Sequence, residues 1–386
     1  MMLPITKKNI KKIYQLPGKV KFCKKCVVSN QRPRIKFNKD GICNACLNSD
    51  YKKKIDWTTR KHELEKLLKK YRKKNGEFDV IVPASGGKDS SIVAHKLKYE
   101  YGMNPLTVTW APHIYTKIGY ENLQSFIHSG FSNILGTPDG AVHRRLTRDC
   151  LIELGEPFQP FIYGQVSFPV KIAIKFNIPL IMDGENGDFE YGGSTKASEK
   201  SFSPKDEIKY WFSGFDAKKW LNKGYKKEEL DVYMRPSFKE IMKKKITRHF
   251  WSYYNFWDPQ EHFYYASKFT NFKPNPDGRS EGTYSKYASL DDQIDGFHYY
   301  FMYLKFGIGR ATSDAAHEVR DGHLIREEAV KLVRKYDGEF PKKYFEKFLD
   351  YCGISKSTFN KIADSWRASH LWEKNNKKWK LKTKVF

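Results

Sequence analysis

Hydrophobic and polar positions along the first half of the chain fall into blocks that alternate between two periods. Leu64, Leu67, Leu68 and Tyr71 recur at helical spacing up to Asn75-Gly76, which predicts an amphipathic helix closed by a turn. Asp79-Val80-Ile81-Val82 is a short apolar run of the kind a buried strand shows, and Ile92, Val93 and Leu97 return to a helical period ending near Gly102. The exchange repeats through strand Leu106 to Trp110, helix Tyr120 to Ser129, strand Ser132 to Leu135, helices Val142 to Leu154 and Val170 to Phe176, and strand Pro179 to Met182. Strands separated by helices predict an α/β fold with a doubly wound parallel sheet.

The second half reads differently. Aromatic-rich segments (Trp251 to Trp257, Phe297 to Phe306) and amphipathic helices (Ile325 to Tyr336, Lys342 to Tyr351) predict a mostly helical extension, with the aromatics from Trp251 to Tyr265 read as core. The polar stretch Gly192 to Pro204 is expected to be a mobile loop, and the lysine-rich tail after Glu373 to fray. Three parts follow: a cysteine-bearing module over 1–56, an α/β domain over 57–200, and a substrate and partner region over 201–386.

Composition narrows the class. With 386 residues, 40% of them hydrophobic, the chain can bury a sizeable core and is not a disordered protein. No apolar run approaches the roughly 20 residues of a membrane span, and the first residues lack a secretory signal, so the cytoplasm is the expected location. Lys and Arg outnumber Asp and Glu by 70 to 44, a net charge of +26 that suits polyanionic or phosphorylated partners. No Arg-Gly repeat or RNA-binding signature accompanies the charge, so nucleic acid is not the expected partner.

Cys23-Lys24-Lys25-Cys26 and Cys43-Asn44-Ala45-Cys46 form two Cys-x-x-Cys knuckles with 16 residues between them, the spacing of a tetrahedral zinc ribbon. Pro33 and Asp40-Gly41 supply turns that bring the pairs together. A closed four-thiolate site leaves no open position, so the zinc is read as structural. Cys150 and Cys352 are isolated in amphipathic helices and read as core residues.

Between the first strand and its helix lies Pro83-Ala84-Ser85-Gly86-Gly87-Lys88-Asp89-Ser90-Ser91. Two glycines let the backbone approach a phosphate, and the helix N-terminus presents free amides. The spacing fits neither the Walker pattern nor the Gly-x-Gly-x-x-Gly fingerprint. The strand ending at Met182 runs into Asp183-Gly184-Glu185-Asn186-Gly187-Asp188, which places carboxylates at the carboxyl edge of the sheet, where ligands bind in open α/β folds. Magnesium or substrate ligation by Asp183, Glu185 and Asp188 is one reading; a solvated turn is the other.

Ser85-Gly86-Gly87-Lys88-Asp89-Ser90 resembles the Ser-Gly-Gly-x-Asp-Ser loop of the ATP pyrophosphatase, or PP-loop, family. That resemblance implies that Ser85, Gly86, Gly87, Asp89, Ser90 and Ser91 hold the β- and γ-phosphates of ATP, that Lys88 offsets charge on the leaving pyrophosphate, and that Thr109 and Trp110 lie where adenine is seated. Catalytic roles then fall to Lys88, Asp89, Asp183 and Glu185, with Gly184 beside the nucleotide.

Nearly the whole chain resembles one branch of that family, the N-acetyl sugar amidotransferases of bacterial surface-polysaccharide synthesis. The matching stretches are Cys23 to Cys46, Pro83 to Ser91, Met182 to Gly193, Glu281 to Asp292 and Lys305 to Thr312. The branch implies a nucleotide-sugar substrate whose acetamido oxygen is adenylated, after which ammonia displaces AMP to leave an acetamidino group, in O-antigen or related glycan synthesis. It also implies a partner glutaminase and cyclase-like protein resembling the pair of histidine biosynthesis, because the chain shows no glutaminase nucleophile of its own. Glu185, Asp188, Tyr284, Arg310 and Thr312 are the expected substrate contacts, Arg310 offering a two-pronged grip on a carboxylate or phosphate; a helix-connecting turn with a surface arginine is the plainer reading of that segment. His298, His317 and His323 are assigned no role, since single histidines on helices are usually structural. Two other functions compete: a tRNA-thiolating or lysidine-type enzyme, which uses the positive charge better, and a zinc-ribbon scaffold that binds nucleotide without turnover.

Overall fold

The computed structural model describes residues 2–193, 212, 214–376 and 378–386, without the Asp188 side chain. The polar stretch expected to be a loop therefore lies, from residue 194 onward, outside the described residues.

Five parallel strands form the central sheet in the order β3-β2-β1-β4-β5: β1 Val80–Pro83, β2 Pro105–Trp110, β3 Ser132–Gly136, β4 Leu180–Asp183 and β5 Thr247–Phe250. Alternate side chains of β1 and β4 face opposite layers. Val80, Val82, Leu180 and Met182 pack with Leu64, Ile92, Leu123 and Trp251, while Ile81 and Ile181 pack with Val170, Ile172 and Ala173. Burial on both faces explains why these strands read as unbroken apolar runs. The strand order reverses between β1 and β4, which opens a crevice at their carboxyl ends.

Three elements differ from the sequence reading. The helix expected over Val170 to Phe176 runs from Gln159 to Lys175 and carries Pro169 within it. Gly164 lies over the Trp110 indole so closely that a Cβ there would sit 2.0 Å from the ring. The region read as mostly helical supplies β5, and the tail expected to fray forms an antiparallel hairpin, Trp372–Asn375 with Lys378–Leu381. Trp379 fastens it by donating its indole N–H to Asp364 (2.9 Å), and Val385 is buried beyond it. Alternation of Lys with Trp and Leu in this segment is a strand pattern hidden by its charge.

The cysteine-bearing module shares one core with the C-terminal helices: Cys23, Cys26, Cys43 and Cys46 pack in the same cluster as Phe297, Phe301 and Trp366. Lys52, at the end of the helix Asn44–Lys52, is 2% exposed. Its ammonium donates to Glu190 (3.0 Å) in the helix Gly187–Tyr191 after β4, and to the carbonyl of Trp257 (2.9 Å). Burial alone would raise the Glu190 carboxyl, but Lys52 and His317 outweigh it and hold the group well below its usual range. Removing one member of such a pair strands a buried charge, so Lys52→Ala is expected to cost about 3–5 kcal/mol, read as a lower urea midpoint.

Candidate functional site

The four cysteine sulfurs have the geometry of a metal centre. Cys23 Sγ lies 3.9 Å from Cys46 Sγ and Cys26 Sγ 3.7 Å from Cys43 Sγ, and all four lie within 4.8 Å of one another with no disulfide. A tetrahedron of ~2.3 Å Zn–S bonds has sulfurs about 3.8 Å apart. The N–H groups of Lys25, Cys26 and Cys43 approach Cys23 Sγ at 3.3–3.5 Å, as amides do around a thiolate. All four thiols are buried and, among the described residues, no His or carboxylate groups with them, so a structural cation is the fitting occupant.

The glycine-rich loop sits at the carboxyl end of β1. Gly86 has φ +79, and a Cβ there would meet the Leu123 backbone at 2.5 Å, so position 86 has room only for glycine. Gly87 caps the helix Lys88–His95, which turns that helix's first amides toward the crevice. Lys88 pairs with Asp89 and lies 5.2 Å from the Tyr287 ring centroid. The second oxygen of Asp89 meets His262 Nδ1 at 2.9 Å. Burial pushes the Asp89 carboxyl up, yet Lys88 and His262 together outweigh it and keep it ionised.

Ser85, Lys88 and Asp89 form one wall of a cavity of about 510 Å³, within the usual size of ligand sites. A smaller cavity of about 160 Å³ lies against Ser85, Gly86 and Gly87 and shares Asp291 and Arg310 with the larger one. Also lining the larger cavity are Glu185, from the turn after β4, and Asp291, which is hydrogen-bonded to the Ser85 side chain, packs its Cα on Gly119 and accepts the Thr116 N–H at its carbonyl (3.1 Å). Burial raises the Glu185 carboxyl to about 7, with Asp89 adding to the shift; burial also raises Asp291 to about 7, with Asp295 and Asp292 adding. Arg310 enters from the helix Arg310–Asp321, held by the Tyr299 hydroxyl and by Asp314 (3.0 Å). Burial disfavours a charged His298, but Glu156 at 2.7 Å outweighs that and raises its pKa.

The fold thus gathers Ser85, Gly86, Gly87, Lys88, Asp89, Glu185 and Arg310 around two adjoining cavities. Other expected residues stand elsewhere. The Asp183 carboxylate is bound through both oxygens by Arg248 (Nη2 to Oδ1, 2.8 Å) and does not line the cavity. Gly184 is backed against Trp257. Ser90 donates to the Gly87 carbonyl (3.1 Å), and Ser91 is buried. Thr109 donates to the Ala84 carbonyl, and Trp110 packs between Phe168 and Tyr233 in the core. Tyr284 donates to Glu318 (2.9 Å), and Thr312 gives its hydroxyl and N–H to Asp337. The Asp188 side chain lies outside those described.

Sequence reasoning passed over His262, Asp291 and Asp295 and assigned no role to His298, His317 and His323, all three of which line the cavity. Asp291 lies in a quoted stretch, where two adjacent aspartates were the available signal; His262 has none, being 173 positions from the carboxylate it contacts.

One comparison with known proteins bears on the C-terminal part. Residues 281–385 match the family model described as LPS biosynthesis protein WbpG-like, C-terminal domain. A stretch of 88 residues is 34% identical to an uncharacterized protein of Methanocaldococcus jannaschii, covering 22% of this chain and 31% of that protein. The alignment thus spans under a third of the curated relative's length. The first match includes Asp291, Asp295 and Arg310 and fits a role in surface-polysaccharide biosynthesis. No helix among the described residues is long and apolar enough to cross a membrane.

The zinc fit makes a direct prediction. Purified protein should carry one zinc per chain by atomic emission, and Cys43→Ser should lose it together with cooperative unfolding; wild-type protein without metal would show the cluster to be four thiols only.

Proposed function

We propose that the chain is an ATP-dependent N-acetyl sugar amidotransferase of surface-glycan synthesis, forming AMP and pyrophosphate. One observation carries the reading: the Ser85 to Asp89 loop and the Arg310 and Asp291 walls, the latter from the segment matching a polysaccharide-biosynthesis family, enclose the same space. ATP supplies the adenylyl group that turns an amide oxygen into a leaving group.

In this reading the amides at Gly86 and Gly87 and the Lys88 ammonium hold the phosphates. Glu185 and Asp291 hold Mg2+, a role that Asp183 gives up to Arg248 and Asp89 to Lys88 and His262. Arg310 grips the phosphate or carboxylate of the nucleotide sugar, and Tyr299 and Asp314 keep its fork in one plane. Buried carboxyls near neutrality also serve to take the proton released as ammonia attacks. Cys150 and Cys352 are buried and their thiols pushed up by that burial, so neither is an activated glutaminase nucleophile. Ammonia therefore comes from a partner glutaminase with a cyclase-like protein, in the cytoplasm where ATP and nucleotide sugars meet.

The tRNA-modifying alternative draws on the +26 charge. Against it, the cavity walls are rich in carboxyls, including Glu185, Asp291 and Asp295, which repel a strand of phosphates unless cations intervene.

The test supplies ATP, ammonium and a panel of di-N-acetylated nucleotide sugars. AMP should form together with a product whose mass differs from the substrate by NH replacing O, and Lys88→Ala should stop both while keeping its zinc. No such product from any sugar in the panel would sink the assignment.

The raised Glu185 pKa gives a second test with opposed signs. Activity that needs the carboxylate should fall as pH drops through about 7. Stability should do the reverse, since a carboxyl raised on folding stabilises below its unfolded value and that contribution is lost as pH rises through about 7. Glu185→Gln should be inactive throughout yet more resistant to urea than wild type above neutrality; equal resistance at all pH values would remove Glu185 from this role.

A further inference from the structure

A short helix, Phe238–Lys243, stands apart from the cavity and from the zinc cluster. Ser237 and Glu240 cap it, and Ile241 turns inward at 4% exposure to pack with Ile172 and Ala173 of the helix Gln159–Lys175. Phe238 and Met242, one turn apart, point the other way and are 55% and 58% exposed. Lys239 and Lys243 flank them at the same spacing, followed by Lys244 and Lys245, all exposed. At the end of the supporting helix Lys175 is exposed and Phe176 is 44% exposed.

Charge on this knuckle is one-sided. Among the described residues none of Lys175, Lys239, Lys243, Lys244 and Lys245 forms an ion pair. The nearest acid in sequence, Glu240, is bonded to the Ser237 N–H (2.9 Å) and hydroxyl (2.7 Å). The knuckle is also held in place, since Thr247, just after it, donates to the Pro179 carbonyl (2.8 Å) where β5 joins the sheet.

We propose that this knuckle docks the protein on an anionic lipid bilayer. Phe238 and Met242 enter the headgroup boundary, and the lysines pair with lipid phosphates while their aliphatic stems cover the apolar tips. Phe and Met side chains raised on a capped turn and ringed by unpaired ammonium groups match an interface that is apolar below and anionic above. A nucleic acid fits less well: none of the described cavities is lined by these residues, so no groove is there to seat a strand. The proposal is independent of the amidotransferase reading.

Flotation of the full-length protein with vesicles tests it. Binding is expected to vesicles of mixed phosphatidylglycerol and phosphatidylcholine and absent with phosphatidylcholine alone. Phe238→Ser with Met242→Ser, and separately Lys243→Glu, Lys244→Glu and Lys245→Glu together, should each weaken partitioning at least about ten-fold. Only the lysine contribution should fade with salt, and both variants should keep the wild-type melting temperature and zinc content. Wild-type protein that stays in the soluble fraction with anionic vesicles, or binding that both variants retain, would overturn the proposal. So would tRNA binding lost in the lysine variant while vesicle binding is unchanged.

Discussion

One buried ammonium ties together three segments far apart in the sequence. Lys52 closes the helix that begins at the second cysteine knuckle, and it reaches Glu190 behind β4 and the Trp257 carbonyl at the edge of the cavity. Glu190 passes the connection on to His317 Nε2 (3.2 Å), whose Nδ1 meets Asp321 at 2.6 Å. Asn48 and Arg320 reinforce the same corner, donating to the Phe189 and Glu190 carbonyls at 3.0 and 2.8 Å. A charge so placed gives little net stability over an apolar substitute, but it penalises any arrangement in which cysteine cluster, sheet edge and C-terminal helices are out of register. The cysteine cluster is thereby linked to the cavity through the helix from which Lys52 projects.

A second theme is the inversion of charge between outside and inside. The chain is strongly basic, yet the walls facing Lys88 and Arg310 are carboxyls that burial keeps near neutrality. Such walls are costly when ionised in an empty cavity and favourable once cations enter. On the proposed function, the magnesium ion and the amidinium product are the cations that would enter. Basic residues on the outer surface are then free for other anionic partners.

Much of the architecture was legible in the residues. The glycine loop, the cysteine knuckles and the strand runs are local signals, because a left-handed Gly86, two thiolates on one turn and a doubly buried strand each leave a mark within a few positions. What stayed hidden is long-range. Nothing near Asp183 shows that Arg248 will claim it, and nothing near Asp89 points to His262; both pairings arise when β5 docks beside β4 and the helix Pro259–Phe269 lies along the loop helix. Trp110 stands apart from the cavity through a contact equally distant in sequence, since Gly164 draws its ring beneath a helix that runs through Pro169.

The central claim, that the loop at Ser85 to Asp89 serves adenylation of an amide oxygen, is tested most directly by isotope transfer. A nucleotide sugar labelled with oxygen-18 in its acetamido carbonyl would be turned over with ATP and ammonium, and the nucleotide and phosphate products weighed. The account predicts the label in AMP and none in pyrophosphate. Label in inorganic phosphate with ADP as the co-product, or label retained in the sugar while ATP is consumed, would contradict it.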